Sequence, residues 1–446
     1  MIQNVLNVFR IEELRKKVLI TLGLLLVYRV GWHVPLPGIS MKSILQMAES
    51  GGATGSELIG LINVLSAGGL LSFGLFSLGI MPYISSSIIF SLLTKVVPAL
   101  EKLSKEGASG QKKINQWTRY ATVPICIVQA IFVLKFLAPG AISGVGEVVD
   151  REVYNSPFFA PMIILALTAG GIFLMWLGEQ ITEHGVGNGI SLLIMAGIVA
   201  RMPQSMIQMF NAAGTPEAKR GVLITTALLA GMYLLVVLVV VYITKGQRRI
   251  PVQYAKLTRG RKVYGGQRHY MPIRVNQASV MPVIFASSLL AFPAWIFKAA
   301  EVPVLADSFN SGGWVYSVCY IGLIFFFSFF WTALMFNPAE MSKNMKEYGA
   351  FVPGIRPGRR TADFLEKVMI RVTVAGAAFL ATIALFPQLL SSSMGLSGAF
   401  TSFLGGTSVL IVVSVALDLV DKLNSHLLMR NYDGFMKGGG GSMRRH

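Results

Sequence analysis

Apolar runs of about 20 residues, the length needed to cross a bilayer as a helix, recur along the whole chain with short polar clusters between them. Ten such runs predict spans at Val18 to Pro35, Leu75 to Val97, Trp117 to Leu137, Phe158 to Leu177 and Gly185 to Ala200, then at Val222 to Ile243, Ala278 to Phe297, Trp314 to Phe336, Val368 to Leu390 and Phe403 to Leu419. The fifth and tenth are the weakest, closed by Arg201 and Asp418, charges that snorkel if they lie near a membrane face. The pattern predicts an all-α polytopic membrane protein.

Composition narrows the choice. The chain has 446 residues, 53% apolar and 13% charged, against roughly 25% charged in soluble proteins, which excludes an ordinary soluble enzyme. Its net charge of +18 points to acidic partners, nucleic acid or anionic lipid. With the N-terminus and every second loop on one side, that side holds 31 of the 39 Lys and Arg residues and the other holds 8. The positive-inside rule then predicts both termini in the cytoplasm. The mixed-charge stretch FRIEELRKKV and the long run after it do not read as a signal peptide, so this segment is expected to stay in the mature protein. Cys126 and Cys319 sit in apolar runs and are expected as packed thiols. His33, His184, His269, His426 and His446 share no metal-ligand spacing, and neither GxxxxGK[ST] nor HExxH occurs, so no cofactor is expected.

Ten spans divided five and five place the second group upside down relative to the first, the arrangement that puts a functional centre near the midplane. Glu57 to Leu71, in GSELIGLINVLSAGGLLSFGL, fits both an interfacial helix and a movable pore stopper. In LGIMPYISSSIIFSLL, Ile80 and Ile84 share a helix face beside three serines, with Pro82 loosening the span; Ile190 and Ile194 repeat the spacing after HGVGNG. Such pairs alone read as packing. Glu179, Glu183, Asp418 and Asp421 all fall at span ends, which disfavours a pump or proton-coupled carrier.

Two loops are strongly basic. GQRRIPVQYAKLTRGRKVYGGQRHY lies in a loop with nine Lys and Arg and no acid, and its β-forming residues with Gly265 and Gly266 predict a small hairpin. In KEYGAFVPGIRPGRRTADF, two prolines flank Gly354 to Arg356 and predict a stiff, projecting turn. Topology and anionic lipid account for some of this charge. The loop sizes favour docking of an acidic macromolecule, such as ribosomal RNA or an acid-rimmed protein.

Together RIEELRKKVLITLGLLLVYRVGWHVPLPG, LGIMPYISSSIIFSLL, KEGASGQKKINQWTRY, FLMWLGEQITEHGVGNGISLLI, GQRRIPVQYAK, VIFASSLLAFP, GAFVPGIRPGRRTADFLEKVM and GGTSVLIVV resemble, in order, the SecY family of channel subunits of the bacterial protein translocon. The resemblance implies ten helices in two inverted five-helix halves around a central pore, with a short plug helix. It implies a passive channel, not an enzyme, which passes unfolded signal-bearing chains across the plasma membrane and releases transmembrane helices sideways. The organisation it implies is a cytoplasmic N-terminus (1–17), an N-terminal half (18–210) with the plug at about 57–72, a C-terminal half (222–424) with basic loops at about 244–277 and 338–367, and a tail (425–446).

By motif, the pore ring maps onto Ile80, Ile84, Ile190, Ile194, Ile284 and Ile411, and the plug onto Ile59, Leu61, Ile62, Val64, Leu65, Leu70 and Leu71. Ser85, Ser86, Ser87 and Gln129 map near a lateral gate formed by spans 2, 3, 7 and 8. Arg248, Arg249, Lys256, Arg259, Arg356, Arg359 and Arg360 map onto the docking loops, Arg356 foremost. Ser72 stands where many members carry a basic plug residue. The implied partners are the SecE and SecG small membrane subunits, the SecA motor ATPase, the ribosome, secretory and membrane-protein precursors, and anionic lipid. The competing classes are a secondary solute transporter with inverted repeats and a ribosome receptor without a pore; the large basic loops and uncharged midplane argue against the transporter.

Overall fold

The second apolar run starts its helix six residues later than hydropathy predicts, and the cause is local. Residues 74–80 turn instead of coiling: Gly74 bridges Pro35, the Leu75 amide donates to the Val34 carbonyl at 2.9 Å, and Gly79 takes φ +57°. Pro82 then falls in the first helical turn, where its missing N–H costs nothing, so it starts the helix and does not loosen it.

The computed structural model describes residues 11–38, 74–136, 149, 151–200, 203, 216–254, 257–259, 262–264, 268–287, 289–290, 314–394 and 406–438. The expected plug residues Ile59, Leu61, Ile62, Val64, Leu65, Leu70 and Leu71, and Lys256, lie outside them. The chain divides into two compact units, Met1–Ile207 with Val415–His446, and Gln208–Ser414.

The first unit is built from α1 (Glu12–Gly31), α2 (Met81–Val96), α3 (Pro98–Lys105), α4 (Ala108–Phe136), the single turn α5 (Arg151–Tyr154), α6 (Phe159–His184) and α7 (Gly189–Val199). Among these, α4 packs on α2 and α6, and α6 also meets α1 and α7. Its core gathers Leu36, Leu78, Cys126, Ala130, Phe159, Ile163 and Leu167. Cys126 is a buried free thiol and Cys319, in the second unit, a half-buried one.

The second unit contains α8 (Pro216–Thr244), β1 (Gln247–Tyr254), β2 (Leu257–Arg259), β3 (Lys262–Tyr264), β4 (Arg268–Arg274), helical residues 281–287 and 289–290, α9 (Trp314–Met335), α10 (Pro338–Glu347), β5 (Ala350–Phe351) and α11 (Arg359–Met394). The last helix, α12 (Gly406–Gly438), starts in this unit and belongs from Val415 to the first.

The fold is mostly helical. Four described helices are long and apolar enough to cross a membrane, Ala108–Leu134, Phe159–His184, Trp314–Glu347 and Arg359–Phe386, and α2 with α3 makes a fifth if that pair, bent by 97°, is one span. Gly189–Val199 and Ala230–Thr244 are apolar but shorter. Exposed Leu19, Leu22, Leu26 and Val30 on α1, and Leu234, Leu235 and Leu238 on α8, are the residues a bilayer would cover.

Candidate functional site

In the first unit the expected pore residues stand at two rigid helix starts. Asn188 caps α7, its side-chain oxygen accepting from the Ile190 amide at 3.1 Å and the Ser191 amide at 3.4 Å. The turn before it is held from two directions. The Thr182 hydroxyl accepts from the Gly189 amide at 2.8 Å, and the Thr21 hydroxyl, from α1, accepts from the Val186 amide at 3.0 Å. Gly189 lies so close to α6 that a Cβ there would overlap the Gly178 carbonyl oxygen. Ile190 and Ile194 leave this start half-buried.

Ile80 and Ile84 are each 9% exposed, and the Ile84 amide donates to the Ile80 carbonyl at 3.1 Å. Ile80 is thus the residue just before α2, and the expected one-turn spacing survives as the first backbone bond of that helix. Of the expected gate residues, Ser86 is fully buried and donates to the Thr118 carbonyl on α4 at 2.7 Å, holding α2 to α4. Ser85, Ser87 and Gln129 are half-buried. In the second unit Ile284 lies in the helical residues 281–287 and Ile411 in α12, both half-buried.

An ion pair that the sequence does not announce joins α4 to α6: Arg119 Nε lies 2.6 Å from Glu179 Oε1. The partners are 60 residues apart and no local pattern links them. Asp418 pairs with Lys422 one turn on along α12, at 3.0 Å.

The two basic loops of the second unit form one object. β1 and β4 pair antiparallel from Gln247↔Arg274 to Gln253↔Arg268, and β5, from the other loop, adds to β1 at Gln253↔Phe351 and Tyr254↔Ala350. The sheet order is β4-β1-β5. Pro251 and Pro272 are tolerated because β4 is an edge strand and β5 reaches β1 only beyond Pro251. Beneath the sheet Ile250, Ile273, Val352, Leu365 and Val368 form a core with Met341 and Met345 of α10. The expected hairpin exists as a separate two-stranded sheet, but its last pair is Arg259↔Lys262. The paired strands thus end at Arg259 and Lys262, and Gly265 and Gly266 follow the pair in sequence and do not lie between its strands.

The second loop turns as its prolines imply. The Ile355 amide donates to the Val352 carbonyl at 3.1 Å, with Pro353 and then Gly354 at φ +83° between them, the residue types a type II turn requires. Arg356 follows, exposed, its carbonyl accepting from the Thr361 hydroxyl at 3.0 Å. Ser342 on α10 donates to the Gly358 carbonyl at 2.6 Å, locking the turn to the platform. Arg359 and Arg360 are the first residues of α11, exposed, with no acid in that turn. Cations at a helix N-terminus oppose its dipole, so their place there is unfavourable until an anion arrives. Arg248 and Arg249 are exposed on β1, and Arg259 ends β2.

Among the described residues no group of His, Cys, Asp and Glu could hold a metal ion. The chain is an α-helical membrane protein with hydrogen-bonded apolar helix starts and a basic three-stranded platform. Its fold is that of protein-conducting channels. A solved structure described as that of a protein conducting channel matches 92% of both chains with TM-score 0.60 at 20% identity, and Sec61 in the canine ribosome-channel complex matches with TM-score 0.57 at 18%.

The SecY family model matches residues 74–420. The protein translocase subunit SecY of Mycobacterium tuberculosis is 41% identical over 454 residues, covering 98% of this chain and all of that protein; that of Streptomyces galbus is 43% identical over 445 residues, covering 96% and 98%. The chain belongs to the SecY family.

Proposed function

We propose that the chain is the passive protein-conducting channel of a bacterial plasma-membrane translocase, with ten spans in two inverted halves and both termini cytoplasmic. The observation that carries this reading is the 41% identity to a protein translocase subunit across 98% of the chain. Unfolded signal-bearing polypeptides pass through a collar of Ile80, Ile84, Ile190, Ile194, Ile284 and Ile411, and transmembrane helices leave sideways past Ser85, Ser86, Ser87 and Gln129. An apolar collar binds no particular side chain and dewets when empty, which limits ion leak. Residues 57–72 act as the plug. The solute-transporter alternative finds no support in these relatives.

SecE and SecG join the channel in the membrane, and the sheet β4-β1-β5 with Arg356, Arg359 and Arg360 receives SecA or the ribosome. Exposed arginines on a stiff turn and at a helix N-terminus supply the donors and field that carboxylates or phosphates need. Anionic lipid neutralises the remaining basic fringe.

A photo-crosslinker at Ile194 tests the channel. With a stalled secretory chain loaded, the expected crosslink forms only when that chain carries its signal sequence. Targeting without any crosslink would leave Ile194 as packing alone. For docking, Arg356→Glu is expected to slow motor-driven export about tenfold or more, the cost of turning one charge-assisted contact worth roughly 1.5–3 kcal/mol into a repulsion. Normal export kinetics in a fully inserted variant would remove Arg356 from the docking surface.

A further inference from the structure

Residues 74–80, just before α2, form no regular element, yet Phe76 is 3%, Ser77 1% and Leu78 6% exposed. Their backbone is fastened along its length. Leu75 donates to Val34 at 2.9 Å, Ser77 to Gly74 at 3.0 Å and Gly79 to Phe76 at 2.8 Å, and the Ser77 hydroxyl donates to the Gly74 carbonyl as well. The Phe76 ring completes a stack between two helices: Tyr28 of α1 lies 6.3 Å away at 8°, and Phe173 of α6 lies 5.8 Å away at 11°. At its ends Trp32 meets Tyr28 edge-on at 74° and Trp176 meets Phe173 at a 37° tilt.

This wedge fits because two side chains are missing. A Cβ on Gly31 of α1 would overlap the Phe76 ring, and one on Gly170 of α6 would overlap the Leu75 carbonyl oxygen. The socket ends at Ile80, whose carbonyl accepts the first bond of α2 from Ile84. Any shift of Phe76 is therefore passed to Ile80 and Ile84 through four residues of buried, hydrogen-bonded chain.

We propose that Gly31, Gly170 and Phe76 are positioning residues for the collar: the socket between α1 and α6 sets where Ile80 and Ile84 stand. The proposal rests on the reading of Ile80 and Ile84 as collar residues.

The test uses the full-length channel in membranes with Gly31→Ala, Phe76→Leu and the double variant. Gly31→Ala pushes on the ring, and Phe76→Leu removes the atoms it pushes on, so the double variant should be milder than Gly31→Ala alone. With Ile80→Cys as a reporter, maleimide labelling is expected to rise about fivefold or more in Gly31→Ala, the lower end of the overpacking cost, and to fall back most of the way in the double variant. With native Ile80, ion leak in planar bilayers should follow the same order. Unchanged labelling in inserted Gly31→Ala, or a double variant worse than either single one, overturns the proposal. Leak that rises in Ile84→Gly but not in Gly31→Ala overturns it and leaves the collar standing. Leak in neither removes both.

Discussion

Replacing Ile84 and Ile194 together with glycine is expected to raise resting ion conductance and to let precursors with defective signal sequences pass. Burying an isoleucine side chain is worth about 1.5–3 kcal/mol, and the apolar constriction dewets through such surfaces. Since 1.4 kcal/mol is tenfold, losing two of them should increase leak by about two to four orders of magnitude. Single-channel recordings and export of a signal-less reporter check both effects. The two positions reach the reading by different routes, Ile84 through the socket at Phe76 and Ile194 through the capped start of α7. Parent-level conductance and unchanged signal dependence in the inserted double variant would remove these positions from the seal.

The largest loss of stability is expected at Gly189, where Gly189→Val should cost roughly 3 kcal/mol or more, at or beyond the top of the usual overpacking range. The added Cβ would overlap the Gly178 carbonyl and lie 2.7 Å from the Ile181 Cβ, both parts of α6 that cannot swing aside. Relief requires α7 to move, which also breaks the bonds from Gly189 to Thr182 and from Val186 to Thr21. A clear drop in the thermal midpoint of the purified channel, with low steady-state levels in membranes, is the expected outcome. A midpoint within a degree or two of the parent would mean that α6 and α7 have slack the distances do not show.

Hydropathy made the described helices legible, four of them long and apolar enough to cross a membrane, because a span needs only length and apolar character. It failed where a turn competes with a helix for apolar residues. Leu75, Phe76 and Leu78 score as membrane, yet they wedge between α1 and α6 in an irregular segment. The Pro353–Gly354 turn was readable, because turn chemistry is written within a few neighbouring residues. The hairpin was half legible. β propensity located strands near the right place, but the conspicuous Gly265–Gly266 pair lies after the paired strands and not between them. What sequence left hidden was contact over distance, as in Arg119 with Glu179 or β5 with β1, and the purpose of individual glycines, which depends on what stands where a Cβ would be.

The pairing of β5 with β1 bears on how such a chain can vary in length. Because Tyr254 is fixed opposite Ala350 and Gln247 opposite Arg274, a residue added within either stretch would slip the register and turn Ile250 and Ile273 out of their core. The separate hairpin of β2 and β3 carries no such obligation. Insertions, tags and lineage-specific extensions in the first basic loop should thus be tolerated between residues 255 and 267 and nowhere else in it.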